Sequence, residues 1–229
     1  MQTFKPKLIP TIFTIPALIL LLSLSYWQFE RLHWKNNLIE EITKQTQLPA
    51  IDLPENIDLS EMLYRKVKFQ GEFIHNQEMH MYGGARQFKG ENGYYILTPI
   101  KLSNNKVIII NRGWVNEKQK EAKTRPETLT EGMVEVEGSI VKSEEKPLYV
   151  HDNQPNRNLW FYVDLNEMKN FLKEPVEKFY IMAKEIPGTS PRGRNLEPNI
   201  RNHHLGYALT WLFSAISLMA IYVIYHKKR

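Results

Sequence analysis

Two uncharged apolar stretches bracket this chain, residues 8–27 and 205–225, and they constrain its architecture more than any other feature. A helix rises about 1.5 Å per residue, so about 20 residues cover a hydrocarbon layer of about 30 Å. Within lipid every backbone N–H and C=O must be satisfied inside the segment. Both stretches are therefore expected to be transmembrane α-helices, despite Pro10 and Pro16. Pro10 suits a first helical turn, where its missing N–H costs nothing, and Pro16 is expected to kink the helix. Mean hydropathy over the whole chain is −0.43, a value typical of soluble proteins, so the residues between the stretches must be polar enough to fold in water.

The expected layout is a tail (1–7), a span (8–27), a juxtamembrane helix and linker (28–60), a folded domain (61–186), a linker (187–204), a second span (205–225) and a tail (226–229). A cleaved signal sequence would end a short apolar region in small residues, and Ser23 and Ser25 form such a pair. The apolar run is too long for that reading, and a Trp-rich segment follows at once.

Formal net charge is +5. Lys5 and Lys7 precede the first stretch, and Lys227, Lys228 and Arg229 follow the second. Short basic flanks favour the cytoplasmic side, whereas long intervening domains cross largely regardless of charge. Arg31, Lys35, Arg192, Arg194 and Arg201 dilute the bias without reversing it. Both termini are expected in the cytoplasm and the central domain outside it. The seven residues before the first stretch are too few for a transit sequence, so the expected home is a bacterial inner membrane, with the central domain periplasmic. With no cysteine, disulfide frameworks, thiolate metal sites and lipoprotein anchors are excluded. Basic residues are interspersed with acids rather than massed on one element, so no nucleic-acid partner is expected; the bilayer is.

The central residues carry short strand signals. Val67, Phe69, Gly71 and Phe73 alternate with Lys68, Gln70 and Glu72. Further strands are expected over 94–100, 107–110, 133–141, 160–163 and 179–183, with a hairpin turn at Asn104-Asn105. Asp164 reads as a helix N-cap with Glu167 as its capping-box partner, and that helix should end near Lys173. Residues 36–44 should continue the first helix beyond the span, and 47–60 and 187–199 read as linkers. The fold class is thus a membrane protein with two transmembrane α-helices flanking a β-rich, α+β extracytoplasmic domain, barrel-like or sandwich-like.

No nucleophile elbow, phosphate loop, zinc-protease helix or dinucleotide turn is present, so the chain is expected not to be an enzyme. Gly83-Gly84 and Gly93 read as turns. His75 and His80 lie five apart and read as separate strand histidines more readily than as a shared metal site. The juxtamembrane segments carry more information. Trp27, Arg31 and Trp34 share one helical face, as do His204, Tyr207 and Trp211, and both trios fall at the same domain-side interface. Aromatic anchoring at headgroup level accounts for the rings. It accounts less well for an imidazole stacked with aromatics beside guanidinium groups, which is what a haem asks of its pocket.

The run Trp27-Gln28-Phe29-Glu30-Arg31-Leu32-His33-Trp34-Lys35 resembles the Surfeit locus protein 1 family of cytochrome c oxidase assembly proteins. The resemblance continues through Val67, Gly71 and Phe73, Gly93-Tyr94 leading to Thr98-Pro99, and Asn111-Arg112-Gly113-Trp114-Val115. It closes on Arg201-Asn202-His203-His204-Leu205 with Tyr207 and Thr210-Trp211, and so covers nearly the whole chain. Asn116 departs from the proline that many members carry. The resemblance implies a chaperone-like assembly role for haem-copper oxidases, with haem a handled transiently for the catalytic subunit. It makes His204 the candidate ligand to haem iron, while His203 occupies a variable position. Tyr207, Trp211, Trp27, Arg31 and Arg201 are the expected companions, the rings as walls and the arginines near the propionates. Expected partners are the oxidase catalytic subunit and the haem a synthesis machinery. Two other functions stand beside this one: a membrane-anchored scaffold holding an immature subunit without haem, and a membrane enzyme using His75, His80 or His151. Arg112 and Trp114 read as a turn after a strand ending at Ile110, with Trp114 in the core and Arg112 in a domain salt bridge.

Overall fold

The computed structural model of the chain describes residues 4–83, 91–143, 145–185, 189–193 and 202–227. It divides into two units, one formed by Met1–Glu41 with Pro198–Arg229 and the other by Ile42–Glu197.

The first unit is a helical pair. Helix α1 spans Leu8–Gln47, running without interruption through Pro16 and on past the apolar stretch. Pro10 falls in its first turn, as expected. The partner helix, at the other end of the chain, spans His204–His226. Both are long and apolar enough to cross a membrane. On α1 the less exposed positions recur at Thr11, Thr14, Leu18, Leu21, Ser25, Gln28, Leu32 and Lys35. On the partner they recur at His204, Ala208, Trp211, Ala215, Leu218 and Tyr222. Steps that alternate between three and four are those of a coiled-coil seam. Small residues are the most enclosed on the partner's seam, with Ala208 at 0% and Ala215 at 3% exposure, as suits helices packed in lipid. Polar contacts punctuate the seam. The Ser25 hydroxyl donates to Ala208 O (3.0 Å), and Thr11 Oγ1 meets the Tyr222 hydroxyl at 2.6 Å. The Lys7 ammonium reaches the Tyr225 hydroxyl at 3.3 Å, and Phe4 bridges to Lys227, so both chain ends meet at one end of the pair.

The second unit is built on strands β1 (Ile51–Asp52), β2 (Lys66–Phe73), β3 (Met79–Tyr82), β4 (Gly93–Lys101), β5 (Val107–Asn116), β6 (Met133–Lys142), β7 (Leu159–Trp160) and β8 (Val176–Ala183). A short helix α2 (Leu59–Met62) precedes β2, and helix α3 (Leu165–Leu172) precedes β8. Among the described residues the strands lie in the order β1-β2-β6-β8-β5-β4-β3-β7, and β2 pairs with β4 as well. That extra pairing, through Glu72–Lys101 and Phe73–Ile100, closes β2, β6, β8, β5 and β4 into a ring. Every strand of the ring sends side chains inward: Val67, Ile100, Ile108, Ile110, Val136, Ile140, Phe179 and Ile181 form one core. A two-residue period turns the intervening side chains outward. Leu97, Ile109 and Tyr180 thus form a second core with Met79, Trp160 and the α3 residues Leu165, Met168 and Leu172. The central strands are therefore apolar on both faces, and the barrel-like expectation is realised.

Local structure departs from the sequence reading in instructive places. Residues 112–115 are not a turn: β5 continues to Asn116, pairing Ile96 with Gly113 and Leu97 with Asn111, so Arg112 is the extra residue of a β-bulge. Gly113 has φ +118, and a Cβ there would lie 2.0 Å from Arg192 O. The glycine that suggests a turn in fact admits a neighbouring backbone, since Trp114 exchanges two hydrogen bonds with Arg192 (2.8 and 2.9 Å). That part of the expected 187–199 linker is therefore tied to the sheet. Strand β7 is shorter than expected. Asp164 caps α3 by accepting from the amides of Asn166 (2.9 Å) and Glu167 (3.1 Å). The Glu167 carboxylate does not close a capping box; it accepts from Asn153 Nδ2 at 2.7 Å. The turn after β4 is as expected, with Asn105 at φ 65 and Asn104 Oδ1 accepting from the Lys106 amide (3.1 Å).

Candidate functional site

The helical pair holds most of the residues singled out from the sequence; Arg201, like Gly84, lies outside the described residues. His204 is the first residue of the second membrane-length helix, now α4, and it faces the seam half-buried. Its Nδ1 lies 2.6 Å from Gln28 Oε1 on α1. Among the described residues Nε2 has no hydrogen-bond partner. Trp211, two turns deeper, is also half-buried on the seam, whereas Tyr207 lies beside it and is 58% exposed. Trp27 is 56% exposed. Arg31 is exposed and stacks its guanidinium 3.9 Å over the Trp34 ring, while remaining within electrostatic reach of His204 together with Lys35.

The structure thus places the imidazole and one indole in the seam and leaves the Trp27 and Tyr207 rings open on the flanks. The reason is the seam's own spacing. Contact positions step from 204 to 208 to 211, and the close approach is made by Ala208 rather than by the larger residue before it. One level further from the apolar stretch, Asn202 Nδ2 donates to Asn36 Oδ1 at 2.9 Å. Measured along the helices, the Gln28–His204 contact lies roughly 31 Å from the Lys7–Tyr225 contact at 1.5 Å per residue. That separation matches the thickness of a hydrocarbon core. Sequence reasoning missed Gln28, which sits one residue from Trp27 and hence about 100° around the helix. Its signal was the spacing of Ser25 and Gln28, three apart and so on one helical face where the apolar stretch ends.

A pocket able to hold haem iron needs a nitrogen ligand with a free lone pair and apolar walls. His204, whose Nε2 has no partner among the described residues, and the open Trp27 and Tyr207 rings fit those needs.

The β unit contains a second polar constellation, and it is structural in kind. Arg125, wholly buried, sits between two 3-10 turns in the connection from β5 to β6. It donates to Gln119 O (2.9 Å), Lys120 O (3.3 Å), Thr128 Oγ1 (3.2 Å) and the Glu78 carboxylate. Glu78 also meets His80 Nε2 at 3.1 Å. Burial alone would raise the Glu78 carboxyl, but the hydrogen bond from His80 and the charge and hydrogen bond of Arg125 outweigh it and hold it below its ordinary value. Among the described residues Arg112 does not form the expected salt bridge. Its Nη2 donates to Thr128 O (2.6 Å), its guanidinium lies 4.8 Å over Phe73, and burial lowers its pKa to about 10. Trp114 is buried at 9% exposure against Gly93, as a core position should be. His75 bonds Thr130 O at 2.9 Å, and His151 packs on Phe161. The three histidines thus have separate partners, and no group of three or more metal-ligating side chains occurs among the described residues. A groove of about 630 Å³, lined in part by Phe69, Ile108, Phe179 and the Lys106–Glu177 ion pair, contains none of the expected site residues.

Comparison with known proteins assigns the family. The SURF1 family model matches residues 15–216. A SURF1-like protein of Rickettsia felis is 37% identical over 213 residues, covering 91% of this chain and 92% of its own length. A SURF1-like protein of Caenorhabditis elegans is 32% identical, covering 94% of this chain and 72% of its own length. Surfeit locus protein 1 of Takifugu rubripes is 32% identical, covering 86% and 89%. With its two terminal apolar helices, its β-rich middle and this extent of similarity, the chain belongs to the SURF1 family.

Proposed function

We propose that this protein is a membrane-anchored, non-enzymatic assembly factor for cytochrome c oxidase, and that its helical pair carries haem a to the catalytic subunit. Family membership supports the oxidase role. The observation that supports the cargo is His204, half-buried at one end of the helical seam, with one ring nitrogen engaged and the other without a partner among the described residues. Haem a brings the iron that an imidazole nitrogen can ligate. His204 supplies that nitrogen, Trp27 and Tyr207 offer apolar ring faces to a flat macrocycle, and Arg31 neutralises propionate charge at headgroup depth. A ligand at the lipid boundary also suits a carrier, since its load leaves without opening a sealed core.

In this reading both helices cross a bacterial inner membrane. Their joined ends, with Lys5, Lys7 and Lys227, face the cytoplasm, as the positive-inside rule favours. The β unit then lies in the periplasm. A reporter active only in the periplasm should work when fused after residue 150 and fail at the C-terminus; the reverse pattern contradicts this topology. The function is tested by purifying the protein from cells that make haem a. An absorption spectrum and extracted haem in near-stoichiometric amount are expected, and protein free of haem would favour a scaffold that holds a subunit without it. Deletion should lower haem-a oxidase activity and spare quinol oxidases that lack haem a. Equal loss of every respiratory oxidase, or no loss, contradicts the assembly role.

A further inference from the structure

We propose that Gln28 is a positioning residue for His204: by accepting a hydrogen bond from Nδ1–H it fixes the imidazole tautomer that leaves the Nε2 lone pair available to haem iron. The inference rests on the reading of His204 as an iron ligand and adds to it a residue on the other helix. The contact is short, 2.6 Å between Nδ1 and Gln28 Oε1, and it joins positions 176 residues apart in sequence. A carboxamide oxygen only accepts, so with Oε1 turned to the imidazole the hydrogen belongs on Nδ1. A neutral imidazole has one N–H and one lone pair, so the lone pair then resides on Nε2. This is the nitrogen farther from the backbone, and it has no competing partner among the described residues.

A glutamine in an apolar seam is costly to bury unless its amide is used. The other polar seam residues explain themselves by tying helix to helix, as Ser25 does to a backbone carbonyl and Thr11 to a tyrosine hydroxyl. Gln28 alone among these three spends its contact on a side chain that can change tautomer. Metal-bound histidines commonly have their other ring nitrogen held in this way, and loss of the holding group weakens metal affinity 10- to 100-fold.

The test uses the full chain in lipid nanodiscs with ring-¹⁵N histidine, read by long-range ¹H–¹⁵N correlation, and ferric protoporphyrin IX as the probe in a separate titration. In the unliganded protein His204 should be the Nδ1–H tautomer. Gln28→Glu, which keeps an acceptor, should preserve that tautomer and bind the probe as the parent does. Gln28→Leu should shift His204 toward Nε2–H and raise the probe's Kd about tenfold or more. Ser25→Ala removes a neighbouring interhelical bond and should change neither readout. The inference is overturned if Gln28→Leu leaves tautomer and affinity unchanged, or if Ser25→Ala weakens binding as much, which would mean that Gln28 only packs the helices. If instead His204→Ala binds the probe like the parent, the iron-ligand reading itself fails, whatever the tautomer shows.

Discussion

Buried polar groups in the two units have opposite designs. In the β unit, Arg125 is wholly enclosed and has four partners on its own loop and on Glu78, so the charge is satisfied from several sides at once. In the helical pair, Ser25, Thr11 and Gln28 each make a single contact across the seam, spaced along apolar helices. A dense network holds its members in one arrangement, whereas isolated contacts leave unused hydrogen-bonding capacity beside flanks open to a ligand. Binding chemistry is therefore expected in the helical pair and structural polarity in the β unit.

Removing Arg125 should produce the largest effect. Arg125→Ala leaves the Glu78 carboxylate buried without its cation, which costs about 3–5 kcal/mol. Denaturant unfolding of the full chain, followed by tryptophan fluorescence, should show it. Pairing Arg125→Met with Glu78→Gln should recover most of the loss, because no buried charge then remains; failure to recover would mean that Arg125 acts otherwise than through Glu78. Trp114→Ala comes next. It empties space between Gly93 and the Arg192 segment, at about 3 kcal/mol and with lower protein levels. Unchanged melting with failed oxidase assembly would move Trp114 from the β unit's core to its function, and would break the contrast between the units.

Acid should act on the β unit in a defined direction. Burial holds His75 below its ordinary value of 6.5, a shift opposed by the Thr130 hydrogen bond and reinforced by Arg112. A depressed folded-state value means that the unfolded chain binds the proton more readily. The His75 contribution is therefore full above about pH 6.5 and is lost as pH falls through the lower folded-state value. Glu78, also depressed, adds a second loss below its ordinary 4.5. Denaturation midpoints taken from pH 7.5 to 5 should fall for the parent and less for His75→Gln; equal slopes would remove His75 from the account. The smallest effect is expected in the seam, where Ser25→Ala should cost about 0.6 kcal/mol, the average for interhelical bonds in membranes. A loss several times larger, in a steric-trap unfolding assay, would mean that the pair depends on its polar contacts as heavily as the β unit does.

These regions also differ in how far the sequence discloses them. Hydropathy alone locates both long helices, and period-two alternation locates β2 and β6, because one physical pattern repeats over many residues. Strand β5 reads too short because Gly113 imitates a turn; only the approach of Arg192 explains its left-handed backbone. Strand β3 offers four residues with no clean alternation, since Met79 and His80 are both buried. The Arg125–Glu78 pair joins residues 47 apart, and nothing local announces it. At the candidate site, position at the start of the second apolar stretch makes His204 conspicuous. Gln28 becomes visible only when the helices are paired, because its partner lies at the far end of the chain.

If His204 holds the haem a cargo at the outer end of the helical pair, a matched pair of variants at 203 and 204 should separate its imidazole from its neighbour's. His203 precedes α4 as its cap and supplies the backbone carbonyl that accepts from the Tyr207 amide (3.3 Å), a bond that does not require its imidazole. His204→Ala and His203→Ala should therefore both insert and fold, when purified from cells making haem a and compared with the parent. His204→Ala should lose most of its extracted haem a while His203→Ala keeps it. Equal haem retention in the two variants would contradict that role for His204.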